Sequence, residues 1–170
     1  MPHITLDYAP RLAQLIDMQG LCDYIRRAAI VARLRAVIGA GGVIDDPVEA
    51  RAYECDAPTA YRCPPLAVVL PSTTQEVAAV LRYCSEAGVP VVPRGAGTSL
   101  AGGAIPQEDA VVIGVSKMNR ILEIDYANRV AKVQAGVTNI GITQAVAAEG
   151  FFYAPDPSSQ LACTIGGNIG

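Results

Sequence analysis

The chain has no tryptophan, only 5% aromatic residues and a single histidine, His3, among its 170 residues. So few rings leave no stacking platform of the kind on which single-stranded nucleic acids bind. Charge is scarce too: charged residues make up 17% and the net charge is −3. With no basic footprint for a polyanion, nucleic acid and anionic membrane surfaces are excluded as general partners. No apolar run reaches transmembrane length, and residues 1–7 lack the basic stretch and apolar core of a secretory signal. The five cysteines, Cys22, Cys55, Cys63, Cys84 and Cys163, are odd in number and contain no C-x-x-C pair. Neither a disulfide framework nor a zinc or iron–sulfur site follows, so no metal is expected and the chain reads as soluble in a reducing compartment.

Apolar residues, by contrast, make up 51% of the chain, and glycine contributes 16 positions. With a mean hydropathy of +0.31, a chain of this length is able to bury one substantial core. Leu21, Ile25, Ala28, Leu34, Val37 and Ile38 recur at helical spacing, predicting a helix over 21–38 that stops at Gly39. Its arginines, Arg26, Arg27, Arg33 and Arg35, do not line one face and read as a solvated surface. A short helix to Tyr53 is expected after Asp45-Asp46-Pro47. Pro64-Pro65 then precedes a buried strand at 66–70. Thr73 and Glu76 fit a capping box, and Val77, Val80, Leu81 and Cys84 repeat at i, i+3, i+4 and i+7. A helix over 74–87, ended by Gly88, follows from both signals. Strands are expected at 89–92, 111–115, 121–125 and 130–134, the last three as a meander with a turn at 126–129. A helix over 139–149 completes the pattern. Strands dominate the middle and helices flank them, which places the fold in the α+β class with a mixed sheet. No internal repeat or low-complexity linker is present.

The most informative segment is Pro93-Arg94-Gly95-Ala96-Gly97-Thr98-Ser99-Leu100-Ala101-Gly102-Gly103, directly after a strand. Glycines at this density let consecutive N–H groups turn toward one point and cradle an anionic group. A second cluster, Thr164-Ile165-Gly166-Gly167-Asn168-Ile169-Gly170, closes the chain. Amides from the two turns are expected to converge on one diphosphate. Two common glycine-loop chemistries fail on specific residues. A G-x-G-x-x-G dinucleotide fingerprint needs its third glycine two residues before Gly102, at the opening of a helix, and Ile105-Pro106 forbids a good start. A nucleoside-triphosphate loop needs lysine where Gly103 stands and a hydroxyl where Ala104 stands, without which phosphoryl transfer loses its charge neutralisation. What survives is a loop that binds a pyrophosphate through its main chain and leaves it intact, as FAD requires.

Together with Tyr53-Glu54-Cys55-Asp56, Val133-Gln134-Ala135-Gly136-Val137 and Pro155-Asp156-Pro157-Ser158-Ser159, these clusters resemble the PCMH-type FAD-binding domain of the vanillyl-alcohol oxidase superfamily. Within it, the resemblance is to the group of the bacterial glycolate oxidase D subunit and the D-lactate dehydrogenases. It implies an N-terminal extension over 1–30, which includes the start of the first helix. An incomplete FAD-binding domain over 31–170 follows, with the substrate domain beyond the chain. It implies that Pro93, Arg94, Gly95, Ala96, Gly97, Thr98 and Ser99, with Gly102 and Gly103, wrap the pyrophosphate. Pro155, Asp156, Ser159, Thr164, Gly166, Gly167 and Asn168 would line the opposite side, with Ala135 and Gly136 passing close by. Some members of the superfamily bond flavin covalently through a histidine where this chain has Thr98, so noncovalent FAD is implied. The implied activity is oxidation of a small 2-hydroxy acid, glycolate to glyoxylate in the first instance and D-lactate or another 2-hydroxy acid in the second. The implied partners are a second flavin-type subunit and an iron–sulfur subunit. The implied location is the cytoplasm, at the periphery of the inner membrane through those partners. A flavin- or nucleotide-binding module without chemistry is the alternative of another class.

Blander roles stand beside these. Arg94 suits a phosphate or, equally, a neighbouring carboxylate. Pro155-Asp156-Pro157 also suits a rigid turn in which Asp156 caps its own backbone. Glu123 and Asp125 share one strand face beside a turn and read as solvated rather than as an acid/base pair. Cys163 reads equally as a buried apolar residue or a cofactor neighbour. No catalytic base is named, because no carboxylate or imidazole is placed by the sequence beside a substrate.

Overall fold

The computed structural model describes residues 18–170; His3 and the readings made for residues 1–17 lie outside the described residues. The first helix, α1 (Met18–Ile38), buries only Ile30, Val31 and Leu34. Leu21 and Ile25, expected on the apolar stripe, are 48% and 58% exposed, since only the second half of α1 covers the sheet. Three of its arginines are tied down rather than free: Arg26 pairs with Asp109 at 3.1 Å, Arg35 pairs with Asp45 at 2.7 Å, and Arg27 donates to the Asp45 carbonyl at 3.1 Å. Such half-exposed pairs contribute little to stability.

Strand β1 (Val43–Ile44) is followed by the single-turn helix α2 (Pro47–Ala50) and a 3-10 turn (Arg51–Tyr53). Asp46 caps α2 by accepting from the amides of Val48 and Glu49, with Pro47 at the first helical position. β2 (Ala67–Val69) leads into α3 (Thr74–Glu86). Thr73 accepts from the Glu76 amide at 3.1 Å, while the Glu76 carboxylate accepts from the Ser72 amide at 2.7 Å, one residue earlier than in the usual box. Gly88, at φ +63°, ends the helix. β3 (Val91–Arg94) starts two residues later than expected, after Pro90, and runs straight into the glycine loop.

β4 (Val111–Gly114), β5 (Ile121–Asp125) and β6 (Val130–Val133) do not form one meander. The first sheet has the order β1-β2-β4-β3, with β4 inserted between β2 and β3 and parallel to both, and β1 antiparallel at one edge. Only β5 and β6 form an antiparallel hairpin, as a separate two-stranded sheet. The reason is visible in burial: Val111, Val112 and Ile113 are covered on both faces, as a central parallel strand requires. Alternate residues split cleanly between the faces. Ala67, Val69, Val111 and Ile113 pack with α1 and α3, whereas Val68, Val92 and Val112 pack toward Ile44, Tyr53 and Leu70. Helix α4 (Asn139–Val146), continued by a 3-10 turn (Ala147–Glu149), and α5 (Ile165–Ile169) close the chain. They share a second core of Val137, Ile142 and Ile165 with Ile121, Ala131 and Val133 of the hairpin.

Candidate cofactor site

The loop after β3 opens at the carboxyl end of the parallel strands, the place where open α/β sheets take ligands. There lies a cavity of about 580 Å³. Of the residues singled out from the sequence, Pro93, Arg94, Gly95, Ala96, Gly97, Thr98, Ser99 and Gly103 line it on one side. Ser159, Thr164, Gly166, Gly167 and Asn168 line it on the other. Gly102, Gly136, Pro155 and Asp156 are not among its lining residues. The sequence reading missed Ala104, Val115 and Gly170 as lining residues. Val115 follows the last residue of β4, so the parallel pairing of β4 with β3 was the signal that would have placed it.

The two clusters meet in space. A Cβ built on Gly95 would fall onto the Thr164 hydroxyl and lie 3.6 Å from the Gly167 Cα, so glycine at 95 is what allows the close approach. Gly97 sits at φ +72°, and a Cβ there would fall onto the Arg94 guanidinium. Arg94 pairs with no carboxylate, which overturns one of its two expected roles; the ion pairs among the described residues are made by Arg26, Arg35 and Arg62. Instead its Nη1 donates to the Cys55 carbonyl at 2.6 Å. Among the described residues, the amides of 96–99 find no protein acceptor, and all four residues line the cavity.

The second cluster departs from expectation. Residues 164–169 are not a loop that offers free amides, because they wind into α5 with Thr164 as its N-cap. The Ile165 amide donates to the Val137 carbonyl at 2.9 Å, that of Gly166 to the Ala135 carbonyl at 2.8 Å, and that of Gly167 to the Thr164 hydroxyl at 3.3 Å. Its glycines serve packing: a Cβ on Gly166 would meet the Ala135 Cβ at 2.9 Å. The convergence is therefore one of walls, with the run of unengaged main-chain donors on the first loop.

Neighbouring groups set these walls. Thr138, the N-cap of α4, forms an isolated antiparallel bridge with Thr164. Asn139 is fully buried; its Nδ2 donates to the Pro155 carbonyl at 3.0 Å and its amide to the Cys163 carbonyl at 3.1 Å. Asn139 thereby fastens the 155–163 turn to α4, a role the sequence reading did not assign. Asp156 is exposed, and no hydrogen bond of its side chain caps the turn. Cys163 proves to be both things weighed for it, buried and on the cavity wall. Asp56 is 4% exposed and neither carboxylate oxygen has a partner. Arg94 is the one charged residue on the cavity wall. Glu123 is exposed, and Asp125 lines a separate cavity of about 420 Å³, where hydrogen bonds from the Asn128 side chain and amide lower its pKa.

Residues 65–170 match the family of FAD binding domains. The chain is 44% identical over 152 residues to glycolate oxidase subunit GlcD of Escherichia coli (strain K12), covering 89% of this chain and 30% of that protein. It is 43% identical over 105 residues to a D-lactate dehydrogenase of Anaerostipes hadrus, covering 62% of this chain and 22% of that one. The chain thus spans less than a third of the length of these curated relatives. Among solved structures, an alkyldihydroxyacetonephosphate synthase superposes with a TM-score of 0.73 at 23% identity, over 82% of this chain and 30% of that one, a likeness of fold. With the matched domain, the mixed sheet and the cavity in place, the chain belongs to the FAD-binding domain family, with the fold of the vanillyl-alcohol oxidase-type flavoproteins.

Proposed function

We propose that this chain is the FAD-binding part of a flavin-dependent 2-hydroxy acid oxidoreductase, acting on glycolate. The observation that carries the reading is the pairing of unengaged amides at 96–99 with a cavity whose far wall is the second glycine cluster. Consecutive amides suit a diphosphate, and the cavity volume falls in the ordinary ligand range of roughly 300–1,000 Å³. When bound, FAD would accept a hydride equivalent from the α-carbon of the acid and pass electrons onward.

In this reading the 95–99 amides hold the diphosphate. Ser159, Thr164, Gly166, Gly167 and Asn168 close the far side and keep water from it. Gly102, Gly136, Pro155 and Asp156 support the walls from behind. Binding is noncovalent, since Thr98 carries no nucleophilic ring nitrogen. Residues 31–170 make up the FAD-binding domain and 1–30 its extension, although α1 already begins at Met18. No residue of the cavity wall is assigned as the base that removes the substrate proton. Glycolate is preferred over D-lactate because the glycolate oxidase subunit matches more of this chain. The word "subunit" in that relative's name also supports an assembly, in which a second flavin-type subunit and an iron–sulfur subunit receive the electrons. Among the described residues no helix is long and apolar enough to cross a membrane, so any attachment to the inner membrane would run through those partners.

The test is anaerobic: the full-length protein is loaded with FAD and mixed with glycolate or D-lactate while the flavin absorbance is followed. Bleaching by glycolate at the lower concentration is expected. Bleaching by D-lactate alone would reassign the substrate, and retention of FAD without bleaching by either acid would leave a binding module without this chemistry.

A further inference from the structure

We infer that Arg94 is a positioning residue that shapes the cofactor loop from behind, rather than a counter-charge for the diphosphate; the inference rests on the FAD reading above. Arg94 is the last residue of β3, and although it lines the cavity, both of its terminal nitrogens already donate to main-chain carbonyls. Nη1 donates to the Cys55 carbonyl at 2.6 Å and Nη2 to the Ala52 carbonyl at 3.5 Å, while the guanidinium carbon stands 5.5 Å from the centre of the Tyr53 ring. These carbonyls lie at and just beyond the 3-10 turn Arg51–Tyr53, where a helical segment leaves acceptors unfilled and favours a cation. The loop itself also packs against the guanidinium, since a Cβ on Gly97 would fall onto it. At the far end of the loop the Ser99 carbonyl accepts from the Ala57 amide at 3.2 Å. Both ends of 94–99 are thus fastened to one segment, 52–57, and the loop turns around the guanidinium as its core.

A planar fork with two carbonyl acceptors and an aromatic face is a shape that lysine does not reproduce, although lysine keeps the charge. That difference separates the two roles. The variants are Arg94→Lys, Arg94→Gln and Gly97→Ala, the last disturbing the same contact from the loop side without touching any charge. FAD affinity is read by flavin fluorescence at low and at physiological salt. Hydrogen exchange of peptides covering Ala57, whose amide is held by the Ser99 carbonyl, is read in the cofactor-free protein, with far-ultraviolet circular dichroism as the check on folding.

A positioning role predicts that Arg94→Lys and Arg94→Gln both weaken FAD by roughly 10–100-fold, the range of a lost charge-assisted bond. It also predicts an unchanged salt dependence and faster exchange at Ala57 in all three variants. If Arg94→Lys keeps most of the affinity, or if the salt dependence falls in Arg94→Gln, the arginine is a phosphate partner and the inference is overturned. Unchanged exchange at Ala57 overturns it equally. Should the unaltered protein fail to bind FAD while exchange still quickens in the variants, the FAD reading falls and the positioning role stands. If both arginine variants misfold, Gly97→Ala decides by the same readouts.

Discussion

The contact between the two glycine clusters is tested most directly by adding one methyl group. Gly95→Ala places a Cβ on the Thr164 hydroxyl, and the hydroxyl cannot simply yield, because it caps α5 by accepting from the Gly167 amide at 3.3 Å. Two costs follow: the lost cap, about 1 kcal/mol, and overpacking of the junction, about 1–3 kcal/mol. The sum is roughly 2–4 kcal/mol, which for a chain of this size lowers the melting temperature by about 5–15 °C. Thr164→Ala alone should cost only the cap, about 1 kcal/mol. In the double variant the new methyl occupies the space the hydroxyl leaves, with the Gly167 Cα at an ordinary 3.6 Å. The double variant should therefore melt close to Thr164→Ala, a coupling of about 2–4 kcal/mol between the sites. Thermal melts by circular dichroism give all four corners of the cycle, and FAD titration of each shows whether the junction also sets affinity. Additive effects, or a Gly95→Ala melt within about 2 °C of the unaltered chain, would mean that the clusters do not touch as described.

Three further outcomes follow from local structure. Thr73→Ala removes the acceptor for the Glu76 amide and should lower stability by about 1 kcal/mol in denaturant titration, whereas Thr73→Ser should cost little. Asp125, held below its ordinary 3.8 chiefly by the Asn128 side chain and then by its amide, stabilises the hairpin turn above that value; the contribution should fade as the pH drops below 3.8 and through the lower folded-state value, and be smaller in Asn128→Ala, which keeps only main-chain amide donors, when the Asp125 titration is followed by NMR. Burial pushes the Cys84 thiol up from 9.0, so a thiol reagent at pH 8 should label exposed Cys22 at once and leave Cys84 unmodified until the chain unfolds; rapid labelling of Cys84 in the folded chain would contradict its place under α1 and the sheet.

What the sequence disclosed and what it withheld divide by the range of the interaction. Helix α3 was legible because its start and stop are written within the segment, in Thr73, Glu76 and Gly88, and its buried Val80 and Cys84 lie on the repeat that predicts them. The hairpin was legible for the same reason, its turn residues lying between two short apolar runs. The pairing of β4 was not, because Val111-Val112-Ile113 reads identically whether its neighbours are the strands that follow it or β2 and β3, whose partners Ala67 and Val91 lie 44 and 20 residues before Val111. The uninterrupted apolar run did hold the clue, since a hairpin strand exposed on one face rarely keeps every residue apolar.

The two glycine clusters looked alike in sequence and differ in physical role, and the difference was also local in origin. Thr164-Ile165-Gly166-Gly167 shares its T-x-x-G spacing with Thr138-Asn139-Ile140-Gly141, and in both the threonine hydroxyl accepts from the amide three residues on, so each segment starts a helix and consumes its own donors. In the first cluster Arg94 reaches back to carbonyls about 40 residues earlier and turns the chain at Gly97 before any helical hydrogen bond forms, leaving the 96–99 amides without protein acceptors. One cluster is glycine-rich so that a helix can lie against Ala135, the other so that a loop can close around a guanidinium. Only the second arrangement leaves consecutive main-chain donors unengaged, and the proposed placement of the diphosphate at the loop after β3 rests on that asymmetry.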